Sequence, residues 1–555
     1  LRKLVIWSGL VILSLIFFAS GISQLPVIDR DEAHFAQASR QMLQSGNFFQ
    51  IRFQDRTRFQ KPPGINWLQA GSVKLFSEPD ANQIWPYRIP SVLGALIAVL
   101  ATFYFGSRLL NERSGLIAAL LLASCLLLVV EAHMGVIDAA LLATVVLMQG
   151  ALWLVYQASA NNTRIHWAWP LCFWLAMTVG LVLKGVTPLV GFLSIAALCM
   201  ADKNIRWLRN LWPFTGLLIL ISLTLIWVIL VNQAEHSNYL MQMIHKDLLP
   251  KLKGGHESHG KPPLFHLAIL PLTFWPASLF LWPTAAYAFR HRHEKAVRFL
   301  LSWVIPSWLF FEIMPTKLPQ YILPVFPALA LLAAMAIDSL INMKKTGLQE
   351  GGASANRWLK FLQSLWGILS IGLVIFLTII SYVFLNHSSW PAVSILFCGI
   401  TFAVVTVYFI FRQAYYQTIA SLLIMASVVY FLSFNRVLPE LEPLWITPKI
   451  AELALKHAVN SDNPLIAVGF DEPSLVFNLN TNWIKFADSA EAISSLEKNP
   501  RQLLLVDDKT FAQWTIAFDS FGVIARLRGF NYSKGRWLNL FLIGPKNKES
   551  NDVSV

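Results

Sequence analysis

Apolar runs of about 17–25 residues recur from the start of the chain to about Ser433, each long enough to cross a bilayer as a helix. The pattern predicts spans over 4–22, 89–107, 115–131, 137–156, 168–183, 186–201, 211–231, 264–288, 298–314, 319–341, 361–385, 391–411 and 415–434, thirteen in all. The first is long for a signal sequence and no small-x-small cleavage site follows it, so it reads as an uncleaved span. One alternate set of connections is basic: Arg108 and Arg113; Arg164; Lys203, Arg206 and Arg209; Arg290, Arg292, Lys295 and Arg298; Lys344, Lys345, Arg357 and Lys360; Arg412. These share a side with Arg2 and Lys3, which makes that side cytoplasmic. The opposite side receives the loops 23–88 and 232–263 and everything after Asn435. The expected organisation is a transmembrane domain, 1–435, and an outer domain, 436–555.

Between the spans the pattern changes period. Asp31 reads as the cap of a helix running to Gly46, with Phe35, Ala38 and Met42 on one face. Such a helix would lie in the interface with that face in lipid. In the tail, a helix is expected from Thr447-Pro448 to about Val459, and Asp488 with Glu491 suggests a capping box. Leu465–Val468, Leu503–Val506, Ile524–Leu527 and Leu538–Ile543 read as strands. The fold class is therefore an α-helical polytopic membrane protein with a C-terminal α/β domain.

Composition agrees. Of the 555 residues, 55% are hydrophobic and 14% charged, and mean hydropathy is +0.54. Soluble domains carry about 25% charge, so disorder, collagen and a disulfide scaffold are excluded. Cys125, Cys172, Cys199 and Cys398 all lie in apolar runs, and neither a structural disulfide nor a thiol metal site is expected. The net charge of +13 follows from cations that flank membrane spans, not from a nucleic-acid surface.

Carboxylates in the membrane part are scarce and informative. Asp29-Arg30-Asp31-Glu32 follows the first span directly; it could activate a hydroxyl, or Asp31 could simply cap the helix. Asp29 and Glu32 count here as general loop charge. Asp138 opens the fourth span beside Glu131 and His133, as an acid or another cap. The outer side also carries cations that the positive-inside rule does not expect: Arg52, Arg56, Arg58, Lys61, Lys74 and Arg88, with Lys184 and Lys317 in very short turns. An anionic lipid headgroup would explain the set; interfacial snorkelling would explain any one of them. In the second outer loop, His256 and His259 within Gly254–Gly260 are weak zinc candidates or part of a polar loop facing substrate. Two glycosylation sequons, at Asn386 and Asn531, are short enough to arise by chance.

Four motifs in register resemble a known family. Asp31-Glu32-Ala33-His34-Phe35-Ala36, Arg58-Phe59-Gln60-Lys61-Pro62-Pro63 with Trp67, Leu183-Lys184-Gly185 and Lys317-Leu318-Pro319-Gln320-Tyr321 resemble the lipid A aminoarabinose transferases. More widely they resemble the bacterial protein-mannosyltransferase-like C-type glycosyltransferases. The similarity covers roughly residues 1–345. It implies an inner-membrane enzyme that moves a sugar, with inversion, from a polyprenyl-phosphate donor to a lipid or glycolipid acceptor at the periplasmic face. Carried over by motif, Asp31 matches the catalytic carboxylate and Asp138 a second acidic position. Arg58, Lys61, Arg88, Lys184 and Lys317 match contacts to donor or acceptor phosphate, and Tyr321 the same pocket wall. His259 matches a histidine that joins a Glu at a zinc site in aminoarabinose transferases. Gln60 stands at that Glu position, and Gln is a poor zinc ligand, so the resemblance implies no certain cofactor. The same departure leaves room for a different sugar or acceptor, such as galacturonic acid on lipid A or core sugars.

A lipid-linked donor fits the lack of a nucleotide-binding glycine fingerprint. The rival classes are a protein O-mannosyltransferase-like enzyme, a flippase of lipid-linked sugars, and an inactive assembly protein. A transporter would place polar, broken helices at the midplane of both halves, whereas here the polar groups lie at the outer ends of the spans. If the orientation is as read, an outside thiol reagent labels a cysteine placed at Ser461 and leaves one placed at Asn161 unmodified; the reverse pattern would invert the topology.

Overall fold

In the computed structural model, the residues described are 2–250, 260–346, 353–499, 501–514 and 521–545. Each of the thirteen predicted stretches is helical. Among the described residues nine helices are long and apolar enough to cross a membrane. Two further stretches are bent: Glu112–Ala123 meets Leu126–Ala132 at 61°, and Phe265–Thr273 meets Ala277–Arg290 at 114°. The remaining two, Ala168–Leu183 and Thr187–Asp202, are short. The two bends lie against each other. The Leu126 N–H freed by the first donates to the Trp275 carbonyl at 2.7 Å, and the Cys125 thiol donates to the Thr273 carbonyl at 3.1 Å. A break at membrane depth is tolerated where protein satisfies the exposed backbone groups, and these two breaks satisfy each other.

The basic connections gather at one end of the bundle. Arg2 pairs with Glu112 at 3.4 Å, Arg298 with Asp202 at 2.8 Å, and Arg113 with Asp338. The Lys344 ammonium donates to the Gln413 carbonyl at 3.0 Å. The first long loop, the described part of the second and the C-terminal sheet sit together at the other end.

There the helix Asp31–Ser45 forms as the spacing predicts, closed by Gly46 at φ 68, a left-handed position where Gly carries no Cβ penalty. Two expectations are corrected. Arg30, at φ 70, occupies the cap position and makes no side-chain cap bond, so Asp31 is the first helical residue and not the cap. Phe35, Ala38 and Met42 are buried in protein, not lipid: Phe35 packs with Ile65, Ile137 and Leu183, and Met42 with Ile51, Trp227 and Val231. The face that periodicity assigned to the bilayer is covered by span ends and by the loops.

A hairpin of β1 (Arg52–Phe53) and β2 (Arg56–Thr57) follows. In the tail, β3 (Leu465–Val468), β4 (Ile484–Phe486), β5 (Leu504–Asp507), β6 (Phe521–Asn531) and β7 (Arg536–Pro545) form one sheet in the order β4-β3-β5-β7-β6. Pairing is parallel around β3 and antiparallel along β7. β4 has no counterpart in the sequence reading; its apolar content is only Ile484 and Phe486. Asp488 caps Ser489–Lys498 by accepting the Glu491 N–H at 2.9 Å.

The sheet domain is docked on the first long loop. Arg40, fully buried, donates to the Phe477 carbonyl and to Asn82 Oδ1, each at 2.8 Å, and its guanidinium lies 4.1 Å from the Phe477 ring centroid. The Gln54 amide donates to the Ile484 carbonyl at 2.9 Å.

Beneath this contact lies a buried ion pair. Glu32 Oε1 accepts Arg88 Nε at 2.8 Å and the Gly135 N–H at 2.6 Å; Oε2 accepts Arg88 Nη2 and the Ile28 N–H, both at 2.8 Å. The remaining Arg88 protons go to the carbonyls of Ile22, Leu25 and Pro26. All five guanidinium donors are used and the residue is 0% exposed. Arg88 is therefore a structural tie and not the phosphate contact expected from its motif. Removing one partner of such a pair costs about 3–5 kcal/mol. Arg88→Met should lower the melting temperature and the yield of monodisperse protein in detergent, with Arg88→Met/Glu32→Leu recovering part of the loss. An Arg88→Met protein of normal stability with only a raised donor KM would restore the phosphate role.

Candidate active site

The loop ends and span ends enclose a cavity of about 320 Å³ where the bundle meets the loops. Asp31, at the first turn of its helix, presents a carboxylate that is 61% exposed, with the Arg58 guanidinium 3.8 Å away. Arg58 itself lies 4.8 Å from the Phe35 ring centroid. Lys61 sits opposite and pairs with Asp247 at 3.2 Å. Lys184, in its tight turn, donates to Asp138 at 2.7 Å, and its ammonium lies 4.9 Å from the Tyr321 ring centroid. Asp31, Arg58, Lys61, Asp138, Lys184 and Tyr321 thus line one cavity, although their positions in the chain span nearly three hundred residues.

Local packing explains the convergence. A Cβ on Gly64 would lie 2.6 Å from the Val182 carbonyl oxygen, so the Lys61-Pro62-Pro63-Gly64 corner rests directly on the last turn of the helix leading into Lys184. Tyr239 braces the same corner from the second loop, its hydroxyl donating toward the carbonyls of Lys61 at 2.7 Å and Arg58 at 2.9 Å.

Other candidates fall elsewhere. Lys317 is 4% exposed and its ammonium meets the Lys261 carbonyl at 3.2 Å, so its neighbours Thr316 and Leu318 line the cavity in its place. That corrects its expected place in the lining. His256 and His259 lie outside the described residues. Gln60 lines the cavity with an amide where the resemblance carries a zinc-binding Glu. Among the described residues no three His, Cys, Asp or Glu side chains converge as a ligand set. The Gln60 amide is a poor ligand for zinc.

Three cavity residues escaped assignment by sequence. His34 lines it, with Nδ1 2.8 Å from the Arg30 carbonyl, which leaves Nε2 as the acceptor of the neutral ring. Burial and Arg58 lower its pKa to about 4, so it is uncharged at neutral pH. Asp247 comes from the second loop, where the sequence offered no spacing clue. Glu131 lies on the inner wall; its place beside Asp138 was the only signal.

The fold is that of the C-type glycosyltransferases. It matches ArnT from Cupriavidus metallidurans in the apo state with a TM-score of 0.73, at 17% identity, over 97% of this chain and 98% of that one. It also matches the Archaeoglobus fulgidus oligosaccharyltransferase in the apo form at 0.52, with 13% identity, over 90% of this chain and 69% of that one. The family model for dolichyl-phosphate-mannose-protein mannosyltransferase matches residues 60–229. In sequence the chain is similar to the undecaprenyl phosphate-alpha-4-amino-4-deoxy-L-arabinose arabinosyl transferase of Pseudomonas paraeruginosa, 28% identical over 359 residues, 64% of each chain. The corresponding transferase of Edwardsiella ictaluri is 27% identical over 379 residues, 68% of this chain and 66% of that one. The alignments thus span about two thirds of these relatives. The resemblance read from the four motifs holds in both sequence and fold.

Asp29, two residues before Asp31, joins the cavity to the sheet domain. Its carboxylate accepts the Ser474 N–H at 2.9 Å and its own N–H donates to the Tyr532 hydroxyl at 2.7 Å. Burial, with Glu472 adding to it, raises its pKa from 3.8 to about 6. The folded protein therefore holds a proton that the unfolded chain releases, and stability from this group falls as pH rises through roughly 4 to 6. Asp29→Asn should raise the melting temperature at pH 7.5 and flatten its pH dependence between 4 and 6. A variant less stable than wild type at pH 7.5 would mean that the charged carboxylate is itself favourable.

Proposed function

We propose that the chain is an inverting glycosyltransferase of the inner membrane, working at the periplasmic face on a polyprenyl-phosphate sugar. The observation that carries this reading is the cavity itself: an accessible carboxylate, Asp31, facing Arg58, Lys61 and Lys184 at the boundary between spans and loops. The lipid tail of the donor can stay in the bilayer while its headgroup enters from the side. The matched ArnT structures include one bound to undecaprenyl phosphate. The similar transferases are named for an undecaprenyl-phosphate aminoarabinose donor. The best-supported substrates are therefore such a donor and a lipid A or core-sugar acceptor.

In this reading an acceptor oxygen attacks the anomeric carbon from the face opposite the phosphate. The bond from that carbon to the phosphate oxygen breaks, and polyprenyl phosphate leaves with the electron pair. Arg58, Lys61 and Lys184 stabilise the charge that develops on the leaving phosphate. Asp31 takes the proton of a hydroxyl acceptor; toward a phosphate acceptor, which is already ionised, it orients the nucleophile. The paired carboxylates Asp138 and Asp247 hold the lysines in place until phosphate oxygens replace or share those contacts.

Because Asp31 is no helix cap, Asn there leaves the fold untouched and removes only the charge and basicity. With purified protein and a polyprenyl-phosphate aminopentose, Asp31→Asn should reduce release of polyprenyl phosphate by about 10²–10⁴-fold at unchanged melting temperature. Full turnover would remove Asp31 from the mechanism. Lys61→Ala should weaken use of the donor by roughly 10- to 100-fold, the worth of a charge-assisted phosphate contact. Normal use of the donor by this variant would leave Lys61 as an interfacial anchor.

A further inference from the structure

One carboxylate on the cavity wall has no assigned task. Glu131 stands in the last turn of Leu126–Ala132, just beyond the 61° bend, and is 3% exposed. Its side chain lines the cavity, and its Oε2 is buried with no hydrogen-bond partner. Leaving such an oxygen unpaired in a buried site is costly, and it is unusual enough to need a reason.

The other acids of the cavity are engaged. Asp31 faces Arg58 at 3.8 Å, Asp138 holds Lys184 at 2.7 Å, and Asp247 holds Lys61 at 3.2 Å. Glu32 is consumed by Arg88, and Asp29 by the Ser474 N–H. Among the described residues Glu131 forms no ion pair. The cation whose charge reaches it is Lys184, which is already committed to Asp138. The arrangement separates two functions. Cations with paired acids suit an anionic phosphate, whereas an acid with an unfilled oxygen suits a group that brings its own N–H donors and positive charge.

We infer that Glu131 determines specificity by reading an amino group on the transferred sugar, with its carboxyl group, part of the cavity wall, accepting an ammonium N–H from the bound donor. The placement is suited to this. Glu131 lies on the same wall as Asp138 and Lys184, so a sugar whose phosphate meets the lysines can turn its far substituent toward it. A neutral hydroxyl at that carbon would fill the oxygen less strongly, and an N-acetyl group would add bulk and remove the charge. Selectivity of this kind is large where a site is built to bond a polar group, because the group's absence leaves a buried oxygen unpaired. The inference rests on the reading of the chain as a polyprenyl-phosphate aminosugar transferase and adds the residue that reads the sugar's amino group.

The test uses full-length protein in detergent or nanodiscs and three synthetic donors: polyprenyl-phosphate 4-amino-4-deoxyarabinose, its N-acetyl derivative, and polyprenyl-phosphate arabinose. For wild type, kcat/KM should be highest on the amine donor. Glu131→Gln keeps the shape and removes the ionisable carboxyl group. It should shrink the amine-to-hydroxyl preference by roughly 10- to 100-fold, chiefly through a raised KM for the amine donor. A Glu131→Gln protein that keeps the wild-type preference overturns the inference. So does one that loses kcat equally on all donors with KM unmoved, since that marks a general structural or electrostatic role. If Glu131→Gln does not accumulate, the wild-type donor series decides: no preference for the amine overturns the proposal while leaving the transferase reading intact. Wild type that is inert on every lipid-linked donor overturns the transferase reading, and this inference with it.

Discussion

The buried Glu32–Arg88 pair is the constraint on which the rest of the site depends. Glu32 stands next to Asp31, and its oxygens bind the span that carries Arg88 as well as the turn at Gly135. Gly135 lies three residues before Asp138, whose carboxylate holds Lys184. One side chain therefore sets the distance between both acidic positions of the cavity. The Arg88 guanidinium in turn fixes the end of the first span by gripping Ile22, Leu25 and Pro26. Geometry held in this way is preorganised: the groups that meet substrate need not be ordered at the moment of reaction.

The same logic separates the cations by task. Arg88 and Arg40 are buried and bonded within the protein; they join helices and domains. Arg58, Lys61 and Lys184 line an open cavity and are paired with acids, so a phosphate can compete for them. The C-terminal sheet domain closes over the first loop through Asp29, Gln37, Arg40 and Gln54. Asp31 thus works on a helix clamped from two sides, by the bundle through Glu32 and by the sheet through Asp29 and Arg40.

Much of this was legible in the chain. Among the described residues, apolar run length located the nine helices long and apolar enough to cross a membrane and both bent pairs, because a bilayer demands that length whatever the tertiary contacts. The four motifs brought most of the cavity together by resemblance. What periodicity and charge could not tell is which polar groups face inward. Glu32 and Arg88 look like ordinary loop charges in sequence, and only their mutual burial reveals a structural pair. Phe35, Ala38 and Met42 form an apolar stripe that suits lipid and protein equally; the second loop and Trp227 decide for protein. Lys317 sits in a short turn as Lys184 does, yet a neighbouring carbonyl draws its ammonium out of the cavity lining. β4 was missed because three residues carry too little pattern.

The central claim is that this cavity receives a lipid-linked phosphate. A structure determined with undecaprenyl phosphate tests it most directly. The account predicts phosphate density within hydrogen-bonding reach, about 3 Å, of Lys61 and Arg58, with the lipid tail leaving between spans toward the bilayer. Phosphate bound elsewhere, with Lys61 still on Asp247 and the cavity empty, would contradict it.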